Sequence, residues 1–296
     1  MKTLILGSSG KIGKFFVKKN NDLIYTFFKN KISGGVKFDI NKNNVNKLLG
    51  KHNINKAIIL SSYSDPDYCY KNKKKSYLLN VISTKKIINQ FIKKNIYFIF
   101  FSSEFVYCGK KNNYNEKSYT KPFTIYGKQK LLVEKYIKKK TNNFAIFRIA
   151  KTYSDSLDQK DFFSNFFYLL KKKNYSFNAA SDQIFNPLYI NDVVKISNYF
   201  LKKKIRGLFN VGGPKSYSRY DCVKILRKHL PNSIRNKVKI KKVKMKAIIT
   251  KEKRPLNLSM NVSKLKKIYG FKTTKFEKLA KIAIKRNFNG KYFDSR

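Results

Sequence analysis

Cysteine, histidine and acidic residues are all scarce in this chain of 296 residues. The three cysteines, Cys69, Cys108 and Cys222, are irregularly spaced and form neither a disulfide framework nor a metal-ligand pattern. The two histidines, His52 and His229, lie far from any motif, and no metal site is expected. Gly-x-Ser-x-Gly elbows and Gly-Lys-Ser/Thr phosphate loops are absent, which sets aside the enzyme classes built on them. No run approaches the roughly 18–20 apolar residues needed to span a bilayer, so no membrane span is expected. Met1 to Leu6 leads straight into a glycine-rich turn, without the apolar core or cleavage site of a signal peptide. The expected setting is a reducing cytoplasm.

Acidic residues number 16 against 67 Lys+Arg, a net charge of +51. Such a balance invites a nucleic-acid or anionic-membrane reading. A specific nucleic-acid binder concentrates its basic residues on one element, often with arginine. Here lysine is spread over the whole length beside abundant Asn, Ile, Phe and Tyr, the mix that AT-rich codons supply. No specific nucleic-acid partner is expected. The positive field nonetheless favours anionic ligands such as dinucleotides and nucleotide-sugars.

What is present is an alternation of strands and helices. Lys2–Leu6, Leu23–Phe28, Lys56–Leu60, Tyr97–Phe101 and Phe144–Ile149 read as strands. Ser76–Lys94 carries a helical apolar face, and Tyr126–Lys140 reads as a helix. The near-continuous apolar run Tyr97–Phe101 suits a parallel sheet covered on both sides. The expected fold class is α/β: a doubly wound parallel sheet of the Rossmann type over residues 1–152, its core extending into later segments. Residues 153–296 are expected to form mainly a smaller C-terminal α/β substrate lobe. There, Asp161–Lys172, Asn191–Lys203, Ser218–His229, Val262–Tyr269 and Phe276–Asn287 read as helices. Leu208–Val211 and Val238–Val243 read as strands, and Lys244–Asn257 as a lysine-rich loop.

Gly7, Gly10 and Gly13 join the first strand to the first helix. Glycine there permits a tight turn and lets the backbone approach a pyrophosphate at the positive end of the helix. Lys11 and Ile12 belong to the same turn. Asp39, before Ile40, is placed to accept a bond from an adenine amino group. No acidic residue ends the second strand, and Lys29 stands there instead, which leans toward the 2′-phosphate of NADP. Leu60, Ser61, Ser62 and Tyr63 end the third strand, where the chain passes a cofactor's ribose and pyrophosphate.

Tyr126 and Lys130 are four residues apart and share a helix face. An ammonium there is expected to draw the phenol from about 10 toward neutrality, so that it exchanges a proton with a carbonyl oxygen while nicotinamide exchanges hydride. The bare spacing recurs elsewhere, as at Tyr25/Lys29 and Tyr199/Lys203. Context selects Tyr126, because it follows the strand that ends in Ser102-Ser103, and ligands of such sheets bind at the carboxyl ends of strands. Ser103 is the candidate orienting hydroxyl.

With these residues in place, the chain resembles the extended short-chain dehydrogenases, and within them the dTDP-4-dehydrorhamnose reductase family, over nearly its whole length. The likeness rests on the Gly7–Gly13 turn, Asp39-Ile40, Ser102 through Gly109, and Pro122 through Tyr126, Lys130 and Glu134. In the C-terminal half it rests on Asp182-Gln183-Ile184-Phe185-Asn186-Pro187 and on Arg254-Pro255 through Met260. The resemblance implies reduction of a dTDP-4-keto-sugar with NADP(H) or NAD(H). Tyr126 would be proton donor, Lys130 its activator and ribose anchor, and Ser103 the hydroxyl on the keto group. It also implies a cofactor contact from Asn80 and substrate contacts from Ser103, Glu104, Lys151 and Gln183. A homodimer is left open. The family's pocket tryptophan appears here as Lys151 or Thr152, its Asp-Gln-x-Gly glycine as Phe185, and its Asp-Tyr pair as Glu104-Phe105. Two rivals stand beside the reductase. A dehydratase or epimerase of the same superfamily is one, although a dehydratase's second acid is missing after Ser103-Glu104. A non-catalytic sugar-nucleotide-binding relative is the other, although Ser103, Tyr126 and Lys130 are all present.

Overall fold

The computed structural model describes residues 2–19, 22–154, 162–270 and 272–289. Seven strands make one parallel sheet: β1 (Lys2–Leu6), β2 (Leu23–Phe27), β3 (Val36–Lys37), β4 (Ile54–Ile59), β5 (Tyr97–Ser103), β6 (Phe144–Ile149) and β7 (Gly207–Val211). Their order is β7-β6-β5-β4-β1-β2-β3. Successive side chains of a strand face opposite sides of a sheet. Ile5 accordingly joins one core layer with Phe16, Ile99, Phe147 and Phe200, while Leu4 and Leu6 join the other with Phe91, Phe98 and Ile146. Helices α1 (Lys11–Val17) and α4 (Ile190–Lys203) supply the first layer, α2 (Thr84–Lys93) and α3 (Ile125–Lys140) the second. Every residue of β5 is buried, as two-sided cover requires.

A third apolar cluster, including Phe166, Phe177, Leu226, Phe276 and Ile284, forms a smaller C-terminal lobe. There the strand Ser176–Ala180 pairs in parallel with Lys239–Val243, under helix α5 (Arg219–Lys228). The chain crosses between the lobes: β7, drawn from beyond residue 152, pairs with β6 at the sheet edge.

Most elements match the sequence reading within two residues. Asp161 lies outside the described residues, and its helix is described from Phe162 to Lys171. The continuous helix expected over 76–94 is instead an α turn at Lys73–Tyr77, a π segment at Leu78–Ser83 and then α2. Six short strands were not foreseen: Val36–Lys37, Thr152–Tyr153, Ser176–Ala180, Ile184–Phe185, Leu188–Tyr189 and Tyr217–Ser218. Five of them hold two residues each, too few to display a period of two.

Candidate functional site

The carboxyl ends of β1, β4, β5 and β6 open onto a cavity of about 540 Å³. The β1–α1 turn lines one side. Gly7 has φ +89°, and a Cβ there would meet Ser61 N at 2.7 Å. A Cβ on Gly13 would meet Ser8 Cα at 2.4 Å. Packing therefore demands both glycines. Gly10 differs: a Cβ would touch only Gly7 O, at 3.5 Å, and the residue faces the cavity. Nothing in the protein requires glycine at this position, and its absent side chain leaves backbone open to a ligand. Lys11, Ile12, Leu60 and Ser62 also line the cavity.

The opposite wall carries Ser103, Tyr126 and Lys130. Ser103 ends β5, and its hydroxyl accepts from Phe105 N at 3.2 Å. Thr124 caps α3 by accepting from Gly127 N at 3.1 Å. A Cβ on Gly127 would lie 2.2 Å from Phe105 O, so only glycine lets the helix press against the end of β5. That contact brings the Tyr126 phenol beside the Ser103 hydroxyl on the same cavity wall. Lys130 Nζ lies 5.8 Å from the Tyr126 ring centroid and donates to Phe101 O at 2.8 Å.

The expected acidification of the phenol is not what this arrangement produces. Burial pushes Tyr126 well above its ordinary value, and the nearby Ser103 hydroxyl only partly offsets it. Burial also pushes the Lys130 ammonium down to about 8, against the pull of Cys69 and Glu134. The ammonium spends a hydrogen bond on a strand carbonyl instead of the phenolic oxygen. The phenol is therefore held protonated, the state required of a proton donor.

Beneath this wall runs a buried polar network. Ser102 Oγ donates to Glu134, which pairs with Arg148 at 2.7 Å. Arg148 Nη1 donates to Tyr107 OH at 2.9 Å, and Tyr107 OH donates to Asn210 Oδ1 at 2.8 Å. The network ties α3 to β5, β6 and β7.

The third side of the cavity is cationic. Lys151, just past β6, lines it and is exposed to the solvent that fills it. Desolvation by the surrounding protein, then Arg219, pushes its ammonium down to about 7; Glu104 opposes this, while Lys11 and Arg254 add to it. Glu104 is buried and its Oε2 has no hydrogen-bond partner. Burial pushes its carboxyl up to about 8 against the Lys151 ammonium and a bond from the Lys151 backbone. Gln183 accepts from Arg219 Nε and donates through Nε2 to Pro255 O at 3.4 Å. Arg254 pairs with Asp67 at 2.9 Å.

Several residues singled out in the sequence lie off the cavity lining. Lys29 is exposed beyond β2, and Ile40 is buried in the core. Asp39 Oδ1 accepts from Asn41 N at 2.9 Å. Ser61 packs on Gly7, and Tyr63 stacks on Tyr68 with centroids 4.6 Å apart. Asn80 is buried in the π segment, where it accepts from Tyr63 N at 2.9 Å and donates to Gln129 at 2.7 Å. It holds the 62–63 loop and does not face the cavity. Arg219 and Arg254 line the cavity without having been given a role. Arginine is rare among the basic residues of this chain, and that rarity was the signal available for both.

Residues 1–288 match the family model described as RmlD substrate binding domain. The chain is 25% identical over 214 residues to methionine adenosyltransferase 2 subunit beta of Xenopus tropicalis, covering 69% of this chain and 61% of that relative. It thus spans about six-tenths of that relative's length. It is 22% identical to dTDP-4-dehydrorhamnose reductase of Aggregatibacter actinomycetemcomitans, covering 95% of this chain and 97% of the relative. The crystal structure of dTDP-4-dehydrorhamnose reductase from Bacillus anthracis in complex with NADP superposes with a TM-score of 0.81 at 21% identity, covering 98% of this chain and 99% of that one.

Proposed function

The chain belongs to the RmlD substrate-binding domain family, and on that premise we propose that it reduces a keto group of a nucleotide-activated sugar with NADPH or NADH. One observation carries the reading: Ser103, Tyr126 and Lys130 share a cavity with the open backbone of Gly10. The residues fit a nicotinamide dinucleotide. The Gly7–Gly13 turn with Lys11 and Ile12 would hold its pyrophosphate, Leu60, Ser61 and Ser62 its neighbouring ribose, and Lys130 the nicotinamide ribose. Asp39, Ile40 and Tyr63 would lie toward the adenine, Lys29 toward a 2′-phosphate, and Asn80 would act through the loop it anchors. When bound, the dinucleotide supplies a hydride. Tyr126, protonated, gives its proton to the carbonyl oxygen, and Ser103 holds that oxygen in place. Glu104, Lys151 and Gln183 face the sugar-nucleotide. Residues 1–152 carry the cofactor in this reading, and 153–296, apart from β7, carry the substrate.

The test is a nucleotide-sugar panel mixed with each reduced cofactor. Wild type should consume reduced nicotinamide with a nucleotide-activated 4-keto-sugar, and Tyr126→Phe should not, while still binding cofactor. Equal turnover by the variant would reject Tyr126 as the acid. Similarity to the beta subunit of another enzyme favours a second reading, a non-catalytic sugar-nucleotide-binding protein. Binding of the ligands without turnover at any pH would select it.

A cytoplasmic location and a homodimer belong to the same proposal. All three thiols are unpaired, which suits a reducing compartment. Among the described residues no helix is long and apolar enough to cross a membrane. Tyr77, Leu78, Ile82 and Leu132 expose apolar side chains on neighbouring helices, and sedimentation would read the assembly.

A further inference from the structure

The cavity contains more positive charge than its own residues balance. Arg219 is held by Gln183, and Arg254 by Asp67. Lys151 has Glu104 as its acidic neighbour, and burial holds that carboxyl largely neutral up to a pH of about 8. A neutral carboxyl cannot cancel an ammonium. The neighbouring charges of Arg219, Lys11 and Arg254 favour the uncharged amine unless an anion arrives. Two polar groups therefore wait on the same spot: the Lys151 ammonium, and the unpartnered Glu104 Oε2, which as an acid has a proton to donate.

Their place in the fold says which part of a ligand they meet. Ile149 pairs with Ser103 across β6 and β5, so Lys151 stands two residues past the residue opposite the candidate orienting hydroxyl. Glu104 directly follows Ser103 and lies close enough to raise the Tyr126 phenol. Lys151 and Glu104 thus flank the reacting end of the cavity, while Arg219 and Arg254 stand in the C-terminal lobe's wall, suited to a diphosphate.

We infer that Lys151 is a specificity-determining residue and that the sugar reduced here bears a carboxylate, received by the Lys151 ammonium and the Glu104 carboxyl. The inference rests on the reductase reading and names its substrate class. An ionised carboxylate on an ammonium, with a second donor beside it, forms charge-assisted bonds that a hydroxymethyl group cannot match.

The probes are nucleoside diphosphate-glucuronate and nucleoside diphosphate-glucose, which differ by carboxylate against hydroxymethyl. Both are titrated calorimetrically, in uridine and thymidine series, into cofactor-loaded protein at pH 6.5. Wild type should bind the glucuronate roughly 10- to 100-fold more tightly. Lys151→Met should bring the ratio of the two affinities to within about threefold of one, and Lys151→Arg should keep it. Cofactor binding and thermal unfolding check that each variant is folded. A wild-type ratio near one, binding of neither probe, or a Lys151→Met variant that weakens both probes alike would overturn the inference. In the last case Lys151 serves the diphosphate. Failure of the reductase reading is read separately, as no consumption of reduced nicotinamide with any keto-sugar, acidic or neutral.

Discussion

On one side of the cavity, Ser103, Tyr126 and Lys130 rest on a strand with no exposed residue and on a helix locked to it by Gly127 and by the hydrogen bond from Ser102 to Glu134, which is in turn paired with Arg148 of the next strand. On the other side, Arg219, Arg254 and Gln183 come from a helix start, a loop and a turn, and are held by polar cross-links. The first wall is positioned by packing in a low-dielectric core, the second by hydrogen bonds at a partly solvated rim. Chemistry that needs sub-ångström placement suits the first, and accommodation of a bulky anionic ligand suits the second. The same contrast sets how each wall responds to mutation.

The largest effect is expected from Tyr126→Phe, which removes the acid without disturbing packing. kcat should fall by about 10²- to 10⁴-fold, read as reduced-nicotinamide consumption. Next is Glu134→Ala, which leaves Arg148 buried and unpaired under the same wall. Chemical denaturation should show a loss of about 3–5 kcal/mol, the cost of breaking a buried pair. A loss below about 1 kcal/mol would mean that the network does not hold the wall.

Gly10 and Gly13 divide the turn itself. Gly13→Ala forces a 2.4 Å contact with Ser8 backbone and should destabilise by about 1–3 kcal/mol. Gly10→Ala has room, so unfolding should change little while the Kd for reduced cofactor rises. Equal loss of stability in both would remove the case for a ligand over Gly10. On the rim, Asp67→Asn weakens the partly buried bond to Arg254. It should shift stability by less than about 1 kcal/mol and act on KM more than on kcat.

The smallest effect is on pH dependence. Lys130 and Glu104 both lie near 8 in the free protein, Lys130 charged and Glu104 neutral below that value. kcat/KM, which reports the free enzyme, should therefore be full near pH 6, fall as the Lys151 ammonium deprotonates around 7, and fall further through about 8. Glu104→Gln should leave the part of the fall due to Lys130. A flat profile to pH 10 would contradict the burial of Lys130.

The packed wall was legible in the sequence; of the rim, Gln183 was named through the resemblance, while Arg219 and Arg254 were given no role. The apolar runs of β5 and β6 betray two-sided burial, and Tyr126 four residues before Lys130 is a local pattern. Arg219 and Gln183 meet only through a helix start and the turn before a two-residue strand, with no period to read. Asn80 was placed at the cofactor by resemblance. The structure turns it inward: within the π segment Leu78–Ser83 it bonds to Gln129 and to the 62–63 loop. The pKa of Tyr126 was misjudged for a related reason: spacing fixes a shared helix face, whereas burial and the Phe101 carbonyl decide where the Lys130 proton goes.

The most direct test follows a labelled hydride. Wild type and Tyr126→Phe, each loaded with NADPH deuterated at the transferring carbon, are mixed with a keto-sugar nucleotide for a single turnover. Deuterium should appear on the sugar's carbinol carbon with wild type and be absent with the variant at equal cofactor occupancy. Equal label in both, or label in neither across acidic and neutral keto-sugars, would contradict the account.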